Sequence, residues 1–102
     1  MGYVELEQFT LAPDVTRDSF NALDDALQAW SYVHRARLLR RTTAFGDDGS
    51  VLVVTVFASG AVPVALELDA AARVEFVDEP VVGLRGAIAP GSYRRSVFED
   101  RG

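Results

Sequence analysis

Two alternating runs flank a short acid-and-glycine turn in LLRRTTAFGDDGSVLVVTVFA. Asp and Gly tolerate the positive φ of a tight turn, and the flanking runs are rich in Val, Thr, Leu and Phe. A β-hairpin is therefore expected, with strands over 35–45 and 51–58. Symmetric pairing across FGDDGS puts Leu39, Arg41, Thr43 and Phe45 beside Val51, Val53, Thr55 and Phe57. The other face carries Leu38, Arg40, Thr42 and Ala44 beside Leu52, Val54, Val56 and Ala58. This second face is more aliphatic near the turn and is expected to meet the helices. A slip of one residue would exchange the two faces.

The hairpin needs partners. Upstream, YVELEQFTL alternates, with Tyr3, Glu5, Glu7 and Phe9 on one face and Val4, Leu6 and Gln8 on the other. A first strand is expected over Tyr3 to Leu11. Thr16 then has the chemistry of an N-cap, and Asp18 suits the positive end of a helix. Phe20, Leu23, Leu27 and Trp30 recur at helical spacing, while Asp24 and Asp25 fall to the other side. An amphipathic helix is expected from about Arg17 to Tyr32.

Downstream, AVPVALELDAAARVEF reads two ways. Pro63 and the alanine run favour a short helix over 63–72, yet Val64, Leu66 and Leu68 alternate as a strand would. PVVGLRGAI, over 80–88, is expected as the final strand, its glycines marking a bulge or an edge. The polar stretch 92–102 is expected as a loose tail or a subunit-crossing arm, leaving 1–91 as a single domain.

The 102 residues and a net charge of −5 place the chain among small acidic globular domains. All ten basic residues are arginine. The acidic balance opposes nucleic-acid binding, which rests on neutralising phosphates. With no cysteine, disulfides and thiolate chemistry are excluded. The acidic start MGYVELEQF is unlike a secretory leader, and VLVVTVF is strand-sized, not membrane-spanning. A cytoplasmic protein without membrane or nucleic-acid partners is expected.

The order strand, helix, strand, strand, helix, strand is the ferredoxin-like split βαβ arrangement, an α+β fold with an antiparallel sheet. VELEQFTL, the helix ending in QAW, and LLRRTTAFGDDGSVLVVTVFAS together resemble the dimeric α/β-barrel superfamily, including antibiotic-biosynthesis monooxygenase-like proteins. The resemblance implies a homodimer in which two sheets close into a barrel. It also implies a pocket between helix and sheet for an apolar or aromatic small molecule. Two functions follow from it: a small monooxygenase-like enzyme acting on an aromatic or polyketide-like compound, or a non-catalytic small-molecule-binding or structural barrel.

Candidate residues cluster near the same elements. Arg41 is a candidate to bind a carboxylate or enolate, and needs a carboxylate partner if enclosed. Glu5 and Glu7 share its expected face with Tyr3, Thr43 and Phe57. His34 follows the expected helix and, with Tyr32 nearby, is a candidate base for an acidic phenol, or simply a helix-end cap. Trp30 belongs to the apolar helix stripe and is a candidate pocket wall. No metal or cofactor is expected, because one histidine with scattered acids offers no ligand spacing. GDDG lacks the pattern of a nucleotide or calcium loop. Strand geometry divides the arginines of RARLLRR between opposite faces.

Overall fold

The computed structural model describes residues 2–59 and 79–101. Its elements are β1 (Tyr3–Thr10), α1 (Arg17–His34), β2 (Leu38–Phe45), β3 (Ser50–Phe57), α2 (Glu79–Ala87) and β4 (Arg94–Glu99). The strands form one antiparallel sheet in the order β2-β3-β1-β4. This α+β arrangement is compatible with a ferredoxin-like fold.

Local chemistry explains the first half. Thr16 caps α1, its side chain accepting from the Ser19 amide while the Ser19 hydroxyl accepts from the Thr16 amide. Asp18 lies in the first turn, at the positive end of the helix. The hairpin turn closes as its composition predicts. Gly49 takes φ +82°, and the Asp48 carboxylate accepts from the Ser50 amide and hydroxyl at 3.0 and 2.6 Å.

The hairpin register matches the symmetric expectation at Phe45↔Val51, Thr43↔Val53 and Arg41↔Thr55. A β-bulge between Leu38 and Arg40 then places Leu38, not Leu39, opposite Phe57. The bulge leaves Leu39 61% exposed.

The faces, however, are exchanged relative to the expectation. Phe9, Val51, Val53 and Phe57 are buried, and the first three join Phe20, Leu27, Leu84 and Ala87 in the core. Phe20 meets Phe9 and Phe45 edge-to-face at 5.8 and 6.0 Å. Asp24, expected on the solvent side, is buried too. Its partner is an arginine on the sheet, so the polar groups travel inward as a pair and the helices choose the face that carries them.

Two further expectations are corrected. Residues 80–88 were expected as a strand, but Glu79–Ala87 is α2. Proline is tolerated in a first helical turn, where the missing N–H is not needed. Gly83 is not a bulge. A Cβ there would sit 2.8 Å from Leu23 Cδ1, so the glycine lets α2 lie close against α1. Leu84 and Ala87, one turn apart, supply its buried side. The Ala87 carbonyl accepts from the Ala12 amide at 2.8 Å, tying the helix end to the chain beyond β1.

Most of the stretch 92–102, expected as a loose tail or a subunit-crossing arm, belongs to the sheet of its own chain. Its residues 94–99 form β4, which pairs with β1 from Tyr3↔Glu99 to Gln8↔Arg94. Its charges disguised it, as they do in many edge strands. The helix expected over 63–72 lies outside the described residues.

The core position of Phe20 sets a first prediction. Phe20→Ala should cost about 3–5 kcal/mol, whereas Val33→Ala, at a 77% exposed site on the same helix, should stay within about 0.5 kcal/mol. Urea denaturation of both variants measures the contrast.

Candidate functional site

Beyond the apolar part of the core, the space beneath α1 turns polar. Alternation along β1 sends Glu5 and Glu7 to the helix-covered face, where they are 1% and 4% exposed. Thr55 is the cross-strand partner of both Glu5 and Arg41, making one row across three strands. In the next row, Glu7 is the partner of both Val53 and Arg95.

Glu5 is held from two sides. Arg35 donates from both terminal nitrogens, Nη1 to Oε1 at 2.8 Å and Nη2 to Oε2 at 3.0 Å. Arg95 Nε donates to Oε2 at 2.8 Å. Arg35 is the C-cap of α1 and its amide donates to the Ser31 carbonyl, so the helix end aims this guanidinium at the sheet. Its cationic carbon also lies 4.9 Å from the Phe57 ring centroid. Burial pushes the Glu5 carboxyl up, but the hydrogen bonds and charge of Arg35, then Arg95, outweigh it and hold it below 4.5.

Glu7 is different. Its Oε2 accepts from the Tyr93 hydroxyl at 2.6 Å. Burial, then the charge of Glu5, raises its pKa above 4.5 against the Tyr93 hydrogen bond and the more distant Arg35 and Arg41. Burial and the neighbouring Glu7 also push the Tyr93 phenol up. Tyr93 itself stacks on Phe9 with centroids 6.3 Å apart.

Arg41 belongs to a second pair. Its Nη2 donates to Asp24 Oδ1 at 2.8 Å, and Nη1 makes a longer contact, 3.4 Å, with Thr43 Oγ1. The carboxylate that Arg41 requires thus comes from α1, not from Glu5 or Glu7. Among the described residues, the buried Thr55 hydroxyl between these pairs has no hydrogen-bond partner.

The candidate catalytic residues are not gathered. Arg41 is buried beneath α1, while Tyr32 is 48% exposed and His34 is exposed at the helix end. His34 stacks on Trp30 at 5.0 Å, and Trp30 packs at the edge of the core. Of the candidate substrate-binding residues, Glu5, Glu7 and Phe57 are buried, while Tyr3 and Thr43 are half-buried. Sequence reasoning missed Asp24, Arg35, Tyr93 and Arg95. The available signal was the need of two inward-facing glutamates for more cations than Arg41 alone.

A groove of ≈ 210 Å³ lies near the hairpin turn, lined by Phe9 and by polar residues including Thr10, Ser50, Ser92 and Arg94. None of the candidate residues lines it. Among the described residues, no three His, Asp or Glu side chains gather as a metal would require. No described helix is long and apolar enough to cross a membrane. Comparison with family models, curated proteins and solved structures finds no match for this chain.

Two predictions follow from the polar layer. Thr55→Val removes an unsatisfied buried hydroxyl at nearly constant shape. It should leave stability unchanged or raise it by about 1–3 kcal/mol, measured by urea denaturation. The two glutamates also shape the pH dependence in opposite ways. The Glu5 contribution is present above its unfolded pKa and is lost as pH falls through its lowered native one. That of Glu7 is present below its unfolded pKa and is lost as pH rises through its raised native one. In Glu7→Gln, thermal melts across pH should keep the acid loss and lack the part of the loss above pH 4.5 that belongs to Glu7.

Proposed function

We propose that this chain is a non-catalytic structural or small-molecule-binding protein that works as a homodimer, its sheet closed against that of a second copy. The observation that carries this reading is the sheet face opposite the helices. Strand pairing places Val56, Val4 and Phe98 in one row of that face, Val54 and Leu6 in the next, and Leu52 in the third. Phe98 is 55% exposed, and the five others are only half-buried. None of the described helices covers them. A contiguous apolar face of this kind is a normal feature of an interface and unusual on an isolated domain.

The resemblance to dimeric α/β-barrel proteins points the same way, since such proteins close this face by pairing. A monooxygenase-like reaction on an aromatic or polyketide-like compound rests on that resemblance alone. It would need Arg41 and His34 to meet one substrate, yet Arg41 is buried and engaged by Asp24 while His34 is exposed at the end of α1. The buried acids are engaged in the same way, Glu5 by two arginines and Glu7 by Tyr93. These contacts favour the binding or structural reading.

Sedimentation equilibrium tests it. The protein should have twice its 11.1 kDa chain mass. Val54→Glu, at the centre of the face, should give a folded monomer, while Val33→Glu, on exposed α1 surface, should remain dimeric. A wild-type monomer at micromolar concentration would overturn the reading.

A further inference from the structure

Two opposite charges line one groove without meeting. The groove of ≈ 210 Å³ beside the hairpin turn has Asp48 on one side and Arg94 on the other, with Gln8, Phe9 and Thr10 of β1 between them. Among the described residues, Arg94 has no hydrogen-bond or ion-pair partner, and no cation reaches Asp48. Asp48 precedes β3 and Arg94 opens β4, so β1 separates them. Neighbouring strands lie about 4.7–4.9 Å apart, and two such spacings leave room for a small molecule between the side chains.

Turn chemistry holds both walls in place. The Asp48 carboxylate accepts from the Ser50 amide and hydroxyl, and these bonds hold it below 3.8, so it is ionised at neutral pH. On the other side, Pro90 and Gly91, the latter at φ +77°, form a tight turn closed by the Ser92 amide donating to the Ala89 carbonyl at 3.1 Å. The Ser92 hydroxyl accepts from the Thr10 amide at 3.2 Å and donates to the Ala89 carbonyl at 2.7 Å, pinning the approach to β4 against the end of β1. Walls fixed in advance lose less freedom when a ligand arrives.

The charges define what fits. A simple anion at Arg94 meets the charge of Asp48, and a simple cation at Asp48 meets that of Arg94. A molecule carrying both charges close together has neither conflict. The volume keeps it small, below the about 300–1,000 Å³ typical of sites for drug-sized ligands. Gln8 and Thr10, whose side chains have no partner among the described residues, add an amide and a hydroxyl that can each donate or accept. Leu52, the β3 partner of Gln8, adjoins the groove on the same sheet face and offers apolar contact.

We propose that this groove binds a free α-amino acid, its carboxylate on the Arg94 guanidinium and its ammonium on the Asp48 carboxylate. The guanidinium fork matches a carboxylate with two parallel hydrogen bonds and keeps its charge at any physiological pH. The site rests on the small-molecule-binding half of the reading above and not on the dimer, because every lining residue belongs to one chain.

NMR titration of L-leucine into the full chain tests this. The amide resonances of Thr10, Ser50 and Arg94 and the Arg94 Nε resonance should shift together and saturate. Isocaproate, which lacks the ammonium, and isoamylamine, which lacks the carboxylate, should each bind at least about tenfold more weakly, the worth of a hydrogen bond to a charged group. Arg94→Ala and Asp48→Asn should each weaken L-leucine binding by a similar factor. Both positions are exposed, and asparagine can still accept from Ser50, so both variants keep the fold. An absence of saturable shifts at the groove, analogues that bind as well as L-leucine, or binding unchanged in either variant overturns the site. Sedimentation of the same samples reads the dimer separately. A monomer that binds L-leucine overturns the dimer alone, and a dimer that does not bind it overturns this site alone.

Discussion

The Glu5 carboxylate, enclosed between α1 and the sheet, sets the conditions for much of this structure. Taking a carboxylate out of water costs several kcal/mol, and only well-aimed cations offset that. Here the two cations come from opposite ends of the sequence, Arg35 at the end of α1 and Arg95 on β4. The helix must stop where it does for Arg35 to turn inward. Likewise, β4 must dock beside β1 for Arg95 to arrive. One short acidic strand thus requires both the helix end and the C-terminal strand to be in place, which makes the assembly cooperative.

Arg41 and Asp24 repeat the logic on a smaller scale and settle which side of the sheet the helices cover. A sheet of this composition offers two inner faces, one carrying Val4, Leu6, Leu52, Val54, Val56 and Phe98 among polar residues such as Arg40 and Thr42, and one mixing Phe and Val with charge. The mixed face is covered because α1 brings Asp24 to Arg41 and Arg35 to Glu5, so its charges are matched once the helix docks. The other face is what remains, and none of the described helices covers it, which underlies the dimer reading. The covered face thus holds paired charges beside its apolar core of Phe9, Phe20, Leu27, Val51 and Val53, while further apolar residues stay on the other face, an arrangement that a second layer would complete.

Much of the first half was legible. The hairpin, its register near the turn, the first strand and the capped helix all rest on local periodicity and turn chemistry, which act within a few residues. The second half was less so. Residues 80–88 hold a proline and two glycines in an apolar run, and only the proximity of Leu23 shows that Gly83 serves helix packing. Residues 94–99 show little apolar alternation, because the inward-facing Arg95 answers to Glu5, not to a hydrocarbon core. The candidate site was half legible: Glu5, Glu7 and Arg41 were placed together on one face, though not the face expected to meet the helices, and their true partners were hidden in a supposed tail and on a supposedly solvent-facing helix position.

By itself, then, the sequence determined which segments alternate, where the chain turns and where α1 begins, since those depend on short-range sterics and capping. Only the tertiary structure decided which sheet face is covered, which cation meets which acid, and that the last residues complete the sheet. The reason is that a buried charge is stable only beside its counter-charge, and the residues that supply one another here lie as far apart as positions 5 and 95.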